Sequence, residues 1–397
     1  MKGGIKLKRG SFKLMKKINQ QTILELINNK GPISRAEIAE ITGLTPATVS
    51  NIVKDLLKMD LVRETRQGES RGGRKPILLE VNPEGAYVIG LEWGIGEIKA
   101  VLLNLNKKVI KTIKKQVDSF KPEWFLKTTV TIFEEVTGYV ENPDKVFGLG
   151  IGIHGLVDPD EGVSLYAPHF GWENIKIGKL LKQELQIPIM LDNDVRMMAL
   201  AEKWEGRDNF IFINTGPGIG SAIVIKGELL YGRDFGAGEF GHMTIVEDGA
   251  LCSCGNRGCI EALVSVNNLV REYNDSLPEH ISFHDIKREW NLLIDLAREE
   301  KSRAYSIIEK AGVYLGKGIG NVVNLLNPEA VVIGGDFLLA RDLIFPVIKE
   351  QVLETALKVP SRDLEITGTA FGEKVGAIGA GTRVLQEIFK LKKEEDK

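Results

Sequence analysis

The chain has 397 residues, which is long for one domain and typical of two or three. Hydrophobic residues make up 43% of it and charged residues 27%, as in globular proteins, and no apolar run approaches the roughly 18 to 20 residues of a membrane-spanning helix. The first residues carry scattered lysines and no apolar core typical of signal peptides, so we expect a cytoplasmic protein that does not act on membranes.

The net charge of −2 is unevenly distributed along the chain. Residues 1–80 hold 16 lysines and arginines against 8 aspartates and glutamates, so the remainder of the chain is acidic. A basic N-terminal segment on an acidic body favours nucleic acid as the partner of that segment. A solvated basic surface would give the same charge pattern, and the local motifs must decide between the two.

Two helices are predicted at the start of the chain. Residues from Ser11 to Asn29 place apolar side chains, among them Ile18, at helical spacing. A second helix is predicted to begin at Ser34, which forms a possible capping box with Glu37, and to bury Ile41 among other residues.

A third helix follows a turn at Gly43. Thr45 is its predicted N-cap and Pro46 its first helical residue. The face opposite its apolar stripe has small or polar side chains, which can approach base edges and phosphates closely. These residues are Thr45, Ala47, Thr48, Ser50, Asn51 and Lys54.

A basic hairpin completes this segment. Residues 61–64 and 77–79 are predicted strands, and the glycine-rich tip between them carries Arg71, Arg74 and Lys75. Glycines allow the backbone to approach a DNA groove, and arginines pair with phosphates or enter a narrow minor groove. The order of elements predicts a winged helix-turn-helix that binds double-stranded DNA. The alternative is a small helical domain whose basic hairpin binds a protein.

The rest of the chain predicts an α/β fold. Strands are expected at Tyr87–Glu92 and Ile98–Asn104, and strands and helices then alternate to the end. Glycine-rich turns follow apolar strands at 149–155, 210–220 and 331–335, where backbone amides could approach an anion or a sugar.

Cys252, Cys254 and Cys259 are the three cysteines of the chain. Their clustering indicates a metal site rather than disulfides in a cytoplasmic protein, and His242 lies ten residues before the first. One imidazole and three thiolates make a closed tetrahedral set, typical of structural zinc. Three buried free cysteines are the alternative.

The body resembles the ROK family of repressors, open reading frames and sugar kinases. The matching segments are GIGIHGLVD (150–158), LDNDVRMMALAE (191–202), INTGPGIGSAIV (213–224), GAGEFGHMTIVEDGALCSCGNRGCIE (236–261) and VVIGGDF (331–337). With the basic N-terminal segment, the whole chain is similar to the xylose-repressor type of ROK regulator.

This resemblance implies an actin-like (ribonuclease H-like) two-lobed sugar-kinase fold with a sugar in the interlobe cleft. We expect a DNA-binding domain at 1–80, a first lobe at 81–192 and a second lobe at 193–375. A C-terminal helix at about 376–392 is expected to return to the first lobe.

The resemblance also suggests the sugar-binding residues. They are Gly155, Asn193, Asp194, Glu239, His242 and Glu261. Carboxylates suit sugars because each oxygen can accept hydrogen bonds from hydroxyls. Asp194 matches the catalytic base of the kinases. Capping of the following helix is its alternative role, and Glu239 and Glu261 could be a loop acid and a helix-start acid.

One departure from the family concerns His169. Many members carry an asparagine there that touches the sugar. His169 either replaces it or lies in a surface loop.

The phosphate-binding motifs of the kinases are altered. Where the family has the acidic glycine-rich turn D-x-G-G-T-K, this chain has residues 92–97 with Glu97 at the lysine position, which adds negative charge near the expected phosphates. Pro217 replaces a threonine and removes an amide and a hydroxyl. We therefore expect sugar binding with little or no phosphoryl transfer. A ROK-type ATP–Mg²⁺-dependent kinase of glucose or N-acetylglucosamine with an accessory DNA-binding domain is the alternative, and a third possibility is a body that serves for oligomerisation alone.

Helix-turn-helix proteins commonly bind two half-sites, so we expect a homodimer or higher homo-oligomer whose operator affinity changes with a sugar effector. By resemblance, the sugar is expected to relieve repression.

Overall fold

A computed structural model of the protein describes residues 12–67, 76–275, 286–299 and 302–390. No helix within these ranges is both long and apolar enough to cross a membrane. The predicted wing tip with Arg71, Arg74 and Lys75 lies outside the described residues.

The N-terminal head consists of three helices and a small antiparallel sheet. Its elements are α1 (Phe12–Lys30), β1 (Ile33–Ser34), α2 (Arg35–Thr42), α3 (Pro46–Lys58), β2 (Val62–Gln67) and β3 (Ile77–Val81). The strand order is β1-β3-β2. This is the predicted arrangement of a winged helix-turn-helix.

Local hydrogen bonds explain where α2 and α3 begin. Ser34 Oγ accepts from the Glu37 amide at 3.2 Å, and Glu37 Oε2 accepts from the Ser34 amide at 2.9 Å, which is the predicted capping box. Thr45 Oγ1 accepts from the Thr48 amide at 3.2 Å. Gly43, between the two helices, has φ of 67°, a conformation that favours glycine.

Two predicted core positions of the head are wrong. Ile18 is 50% exposed and Ile41 is 51% exposed. The short helix α2 buries Ile38 alone, because it contacts its neighbours along a narrow line. The head core is formed by large aliphatic residues, among them Ile23, Leu24, Ile27, Val49, Ile52, Val53, Leu56 and Leu79.

The body begins with a first lobe. Its elements are β4 (Tyr87–Trp93), β5 (Glu97–Asn104), β6 (Val109–Gln116), α4 (Pro122–Thr137), β7 (Val146–Ile153), β8 (Leu156–Asp158), β9 (Val163–Ala167), β10 (Trp172–Ile175), α5 (Ile177–Glu184) and β11 (Ile189–Asn193). Helix α6 (Asp194–Glu202) leads to the second lobe.

The second lobe is rich in helices. Its elements are β12 (Phe210–Thr215), β13 (Ile219–Ile225), β14 (Glu228–Leu229), α7 (Ile260–Val264), α8 (Val266–Asn274), α9 (Ile286–Ala297), α10 (Arg303–Leu326), β15 (Ala330–Gly335), α11 (Arg341–Thr355), α12 (Lys358–Ser361) and β16 (Glu365–Gly368). Helix α13 (Val375–Lys390) follows and packs against β4, β5 and β7 of the first lobe.

The two lobes have the same sheet topology. The first sheet has the order β6-β5-β4-β7-β11 and the second β14-β13-β12-β15-β16. In each, the first three strands in sequence are antiparallel neighbours and the last two add in parallel. The predicted α/β class is therefore correct, and the fold is a repeated unit whose two copies would flank the predicted cleft.

Helices α6 and α13 lie between the two sheets and pack closely against each other. A side chain at Gly379 of α13 would overlap the carbonyl oxygen of Met197 in α6. Only glycine permits this approach, which holds the two helices together as a pair.

The head is packed against the first lobe. Helix α1 contacts α13, and one continuous apolar cluster includes head residues such as Leu24 and lobe residues such as Leu385 and Ile388. Lys145 of the lobe donates to Asp60 Oδ2 of the head at 2.9 Å. The head is therefore joined to the lobe by a shared core as well as by the chain.

Candidate functional site

One side of the predicted cleft is formed by the turn after β7 and the start of α6. Asn193 Nδ2 donates to the carbonyl oxygen of Gly155 at 3.0 Å and so joins these two segments. Asn193 Oδ1 accepts from the amides of Val195 and Arg196, at 2.9 and 3.0 Å. Asn193 is thus the N-cap of α6, and Asp194 is its first residue.

One carboxylate oxygen of Asp194 accepts hydrogen bonds within the protein, and the other is available to a ligand. Its Oδ1 accepts from Asn193 Nδ2 at 3.0 Å and from the Val195 amide at 2.9 Å. Its Oδ2 lies 3.9 Å from His154 Nδ1, and its side chain is 14% exposed. Asp194 Oδ2 is therefore placed to accept a hydrogen bond from a small polar ligand.

His169 is paired with His154, a residue that the sequence reasoning missed. His169 Nδ1 and His154 Nε2 are 2.8 Å apart, so one ring donates and the other accepts. Loss of solvation and the neighbouring His154 lower the pKa of His169, and the carboxylates of Glu261 and Asp194 oppose this. A single histidine after a glycine-rich strand gives no signal that would have revealed the pair.

The other side of the predicted cleft carries Glu239, His242 and Glu261. Glu239 Oε2 lies 4.0 Å from His242 Nε2, and the Glu239 side chain is 65% exposed. Glu261 Oε2 accepts from the Ile219 amide at 3.1 Å, and Oε1 accepts from Ser253 Oγ at 3.0 Å. Glu239 is thus free to meet a ligand, whereas Glu261 also connects two loops of the second lobe.

His242, Cys252, Cys254 and Cys259 form a compact cluster. Their donor atoms all lie within 4.8 Å of one another. Cys254 Sγ and Cys259 Sγ are 3.8 Å apart, and Cys252 Sγ is 3.6 Å from His242 Nδ1. Ligands about 2.3 Å from a tetrahedral zinc ion are separated by about 3.8 Å, so the four donors fit such an ion.

The chain forms this cluster through tight turns. The Cys252 amide donates to the carbonyl of Asn256 at 2.8 Å, and Gly255 has φ of 92°. Burial and the adjacent thiols raise the pKa of Cys259 to about 12. A cation among the sulfurs would reverse this effect, since metal coordination deprotonates a thiol.

The region that matches the phosphate turns of kinases is acidic. Lys99, which the sequence reasoning missed, lies 3.4 Å from Glu92 Oε1 and 3.6 Å from Glu97 Oε1. Burial raises the pKa of Glu92 despite Lys99. The cation near this turn is thus already paired with two carboxylates of the protein. Pro217 in the opposite turn offers no amide.

The predicted DNA-facing surface of α3 is open. Thr45, Ala47, Ser50, Asn51 and Lys54 are exposed, and Thr48 is half-buried beside Thr45. The apolar residues of α3 face the head core instead. An exposed helix face of small, polar and basic side chains is the kind of surface that helix-turn-helix proteins place in the major groove.

Comparisons with known proteins agree with this geometry. A family model described as the ROK family matches residues 88–387. The chain belongs to the ROK family. A model described as winged helix-turn-helix DNA-binding matches residues 17–63. The ROK body and the head were both predicted from the sequence, and both are confirmed.

Two relatives match this ROK chain over nearly its full length. It is 29% identical over 382 residues to the xylose repressor of Bacillus subtilis (strain 168), and the match covers 95% of this chain and 97% of the relative. It is 29% identical over 393 residues to the DNA-binding transcriptional dual regulator NagC of Escherichia coli (strain K12), with 96% and 95% covered.

A solved structure gives the same result. A ROK family transcriptional regulator, described as a homolog of the E. coli MLC protein, superimposes with a TM-score of 0.82 at 29% identity. The superposition covers 95% of this chain and 97% of that chain. The predicted winged helix-turn-helix on a two-lobed, actin-like ROK body is therefore the fold of this protein.

Proposed function

We propose that the protein is a sugar-responsive transcriptional regulator that binds an operator and represses transcription. The observation that carries the proposal is the apolar core shared by the DNA-binding head and the first lobe. A change in the cleft can reach the head through this packing, as control of DNA affinity by an effector requires. The full-length similarity to a xylose repressor and to a DNA-binding transcriptional dual regulator supports the same function.

The sugar would bind in the cleft between Gly155, Asn193 and Asp194 on one side and Glu239, His242 and Glu261 on the other. These groups offer acceptors and an imidazole, which suit adjacent hydroxyls. Operator DNA would be read by α3 and contacted by the wing, including Arg71, Arg74 and Lys75. Two copies of the chain would place two heads on two half-sites.

The four-residue cysteine and histidine cluster would hold one structural Zn²⁺. A closed set of four protein ligands leaves no position for substrate. With Nδ1 of His242 on the ion, Nε2 would face Glu239 and the sugar. The metal would thus fix the loop that carries the sugar contacts.

The function is tested by thermal denaturation with a panel of free sugars, with and without ATP–Mg²⁺. We expect one sugar to raise the midpoint and ATP–Mg²⁺ to have no effect. That sugar should then change the affinity for duplexes selected from a random DNA pool. Stabilisation by ATP–Mg²⁺, or its consumption with the sugar, would favour the kinase alternative.

A pair of variants makes this test specific. Glu239→Gln should abolish the sugar-induced shift, while Glu247→Gln, an exposed acid on the same loop, should retain it. If both variants retain the shift, the sugar does not bind at the proposed site.

A further inference from the structure

Arg196 is a charged residue buried between the two lobes. It lies in α6 two residues after Asp194 and is 4% exposed. Its neighbours in the helix, Met197 and Met198, are apolar and buried. A guanidinium in such a place is tolerated only if its N–H groups find partners.

The partners of Arg196 come from three separate segments. Its Nε donates to Asp192 Oδ1 at 2.6 Å, in β11. Its Nη1 donates to the carbonyl of Phe235 at 2.8 Å, and its Nη2 to the carbonyl of Val157 at 3.1 Å. Each nitrogen of the planar fork thus points to a different segment, a geometry that lysine cannot reproduce.

Tyr231 completes the group. Its hydroxyl donates to Asp192 Oδ2 at 3.0 Å, and the Arg196 guanidinium lies 5.1 Å from its ring centroid. Burial and the Asp192 carboxylate raise the pKa of Tyr231, so the hydroxyl remains a donor. Both oxygens of Asp192 are therefore engaged, and burial still raises the pKa of this carboxyl although Arg196 and Tyr231 lower it.

The segments held by Arg196 lead directly to the two sides of the cleft. Val157 lies two residues after Gly155 in the first lobe, and Phe235 lies four residues before Glu239 in the second. The loop between Tyr231 and Glu239 is anchored further by Ser221 Oγ, which donates to the carbonyl of Gly238 at 2.8 Å. The Arg196 side chain thus joins the two segments that lead to Gly155 and to Glu239.

We propose that Arg196 is a positioning residue that sets the placement of Glu239 relative to Gly155 by bridging the carbonyls of Val157 and Phe235. This rests on the proposed function, because it concerns the same sugar site. A sugar whose hydroxyls contact both lobes binds tightly only if the two sides are held at a fixed separation. Arg196 acts through the backbone of these segments and does not touch the sugar.

The decisive variant replaces the buried ion pair by apolar residues, Asp192→Leu with Arg196→Met. The replacement removes the desolvation cost of the buried pair but leaves the carbonyls of Val157 and Phe235 and the hydroxyl of Tyr231 without these partners, so we expect a modest fall in the denaturation midpoint. A purely structural role predicts this fall with wild-type sugar affinity below the midpoint. We expect unchanged DNA affinity. We also expect sugar affinity to fall about tenfold or more, because the two sides of the site are no longer held at a fixed separation. Arg298→Met, which removes an exposed arginine paired with Asp295, is the control for the loss of an arginine as such.

A second variant and a ligand-free measurement keep the test decisive. Arg196→Lys retains the charge beside Asp192 but cannot reach the carbonyls of both Val157 and Phe235. If the double variant does not fold, the sugar affinity of Arg196→Lys tests the proposal instead. Amide hydrogen exchange without sugar should be faster than wild type at residues 231–239 and 156–158 and unchanged in the head. If wild type binds no sugar in the panel, the proposed function fails, and the exchange measurement alone decides whether Arg196 holds the two segments. Wild-type exchange in these segments, or wild-type sugar affinity in Arg196→Lys, would overturn the proposal.

Discussion

The side-chain amide of Asn193 donates to the carbonyl oxygen of Gly155 at 3.0 Å, while its oxygen caps α6. These two roles can be separated by substitution. Asn193→Asp keeps the capping oxygens but loses the donor to Gly155 and places a second carboxylate beside Asp194. We expect sugar affinity to fall about tenfold, with a small change in stability. Asn193→Ala should in addition lose about 1 kcal/mol of folding stability, since the cap is removed. Sugar titration and denaturant unfolding measure the two effects, and wild-type sugar affinity in Asn193→Asp would contradict this assignment.

The exposed face of α3 predicts different effects for its polar and its basic residues. Asn51→Ala should change which sequences are preferred, because an amide reads base edges. Lys54→Ala should weaken binding to all duplexes about equally and reduce the slope of log K against log salt by about 1. Both are measured by titrating selected and scrambled duplexes at several salt concentrations. Identical behaviour of the two variants on all sequences would show that α3 does not read the groove.

The cysteine cluster predicts one tightly bound zinc ion per chain. Cys254→Ser should reduce the zinc content, lower the midpoint of denaturation and weaken sugar binding, because the loop with Glu239 and His242 loses its anchor. DNA affinity without sugar should change little, since the head lies outside this loop. Metal analysis of the purified protein checks the stoichiometry, and removal of the metal by a chelator should be reversed by added Zn²⁺. A fully folded wild-type protein without metal would contradict the assignment.

Burial of Glu92 predicts a stability that depends on pH. Its pKa is raised in the folded protein, so the folded state binds this proton more tightly than the unfolded state does. Stability from this group is therefore lost as pH rises from the unfolded pKa through the folded pKa. Glu92→Gln should raise the midpoint of denaturation at pH 7, and the difference from wild type should disappear toward pH 4. Glu97→Gln, which removes the more exposed partner of Lys99, is the control for loss of the ion pair. A Glu92→Gln protein less stable than wild type at pH 7 would show that the pairing with Lys99 outweighs the burial.

The contact between α6 and α13 predicts a severe effect of one added methyl group. Gly379→Ala should destabilise the protein by about 1–3 kcal/mol or more, because its Cβ would overlap the Met197 carbonyl. Gly96→Ala is the matched control, since no atom lies within 4 Å of the position its Cβ would take. Denaturant unfolding compares the two variants. Equal stability of both would mean that the helices can separate without cost.

Features formed by residues close in the chain could be predicted from the sequence. The Ser34 capping box joins residues three positions apart, and the three cysteines lie within eight residues, so their residue types reveal them. The pairing of His154 with His169 and the contact of Arg196 with Phe235 join residues 15 and 39 positions apart. No local pattern encodes such contacts, because the fold alone brings the partners together.

Periodicity also failed to identify which apolar side chains are buried. Ile18 and Ile41 lie at helical spacing, yet both are about half exposed. A helix contacts the core along a narrow stripe of its surface. Where its apolar face is broader than this stripe, the sequence does not indicate which apolar side chains lie in the contact.

The chain passes from the first lobe to the second through α6 and returns through α13, and these two helices are locked together. Two adjacent connecting helices permit rotation of the lobes about one axis and resist sliding and twisting between them. The head is packed against the first lobe, so it would move together with that lobe. A small angle at the cleft would therefore become a larger displacement at α3, in proportion to its distance from the axis.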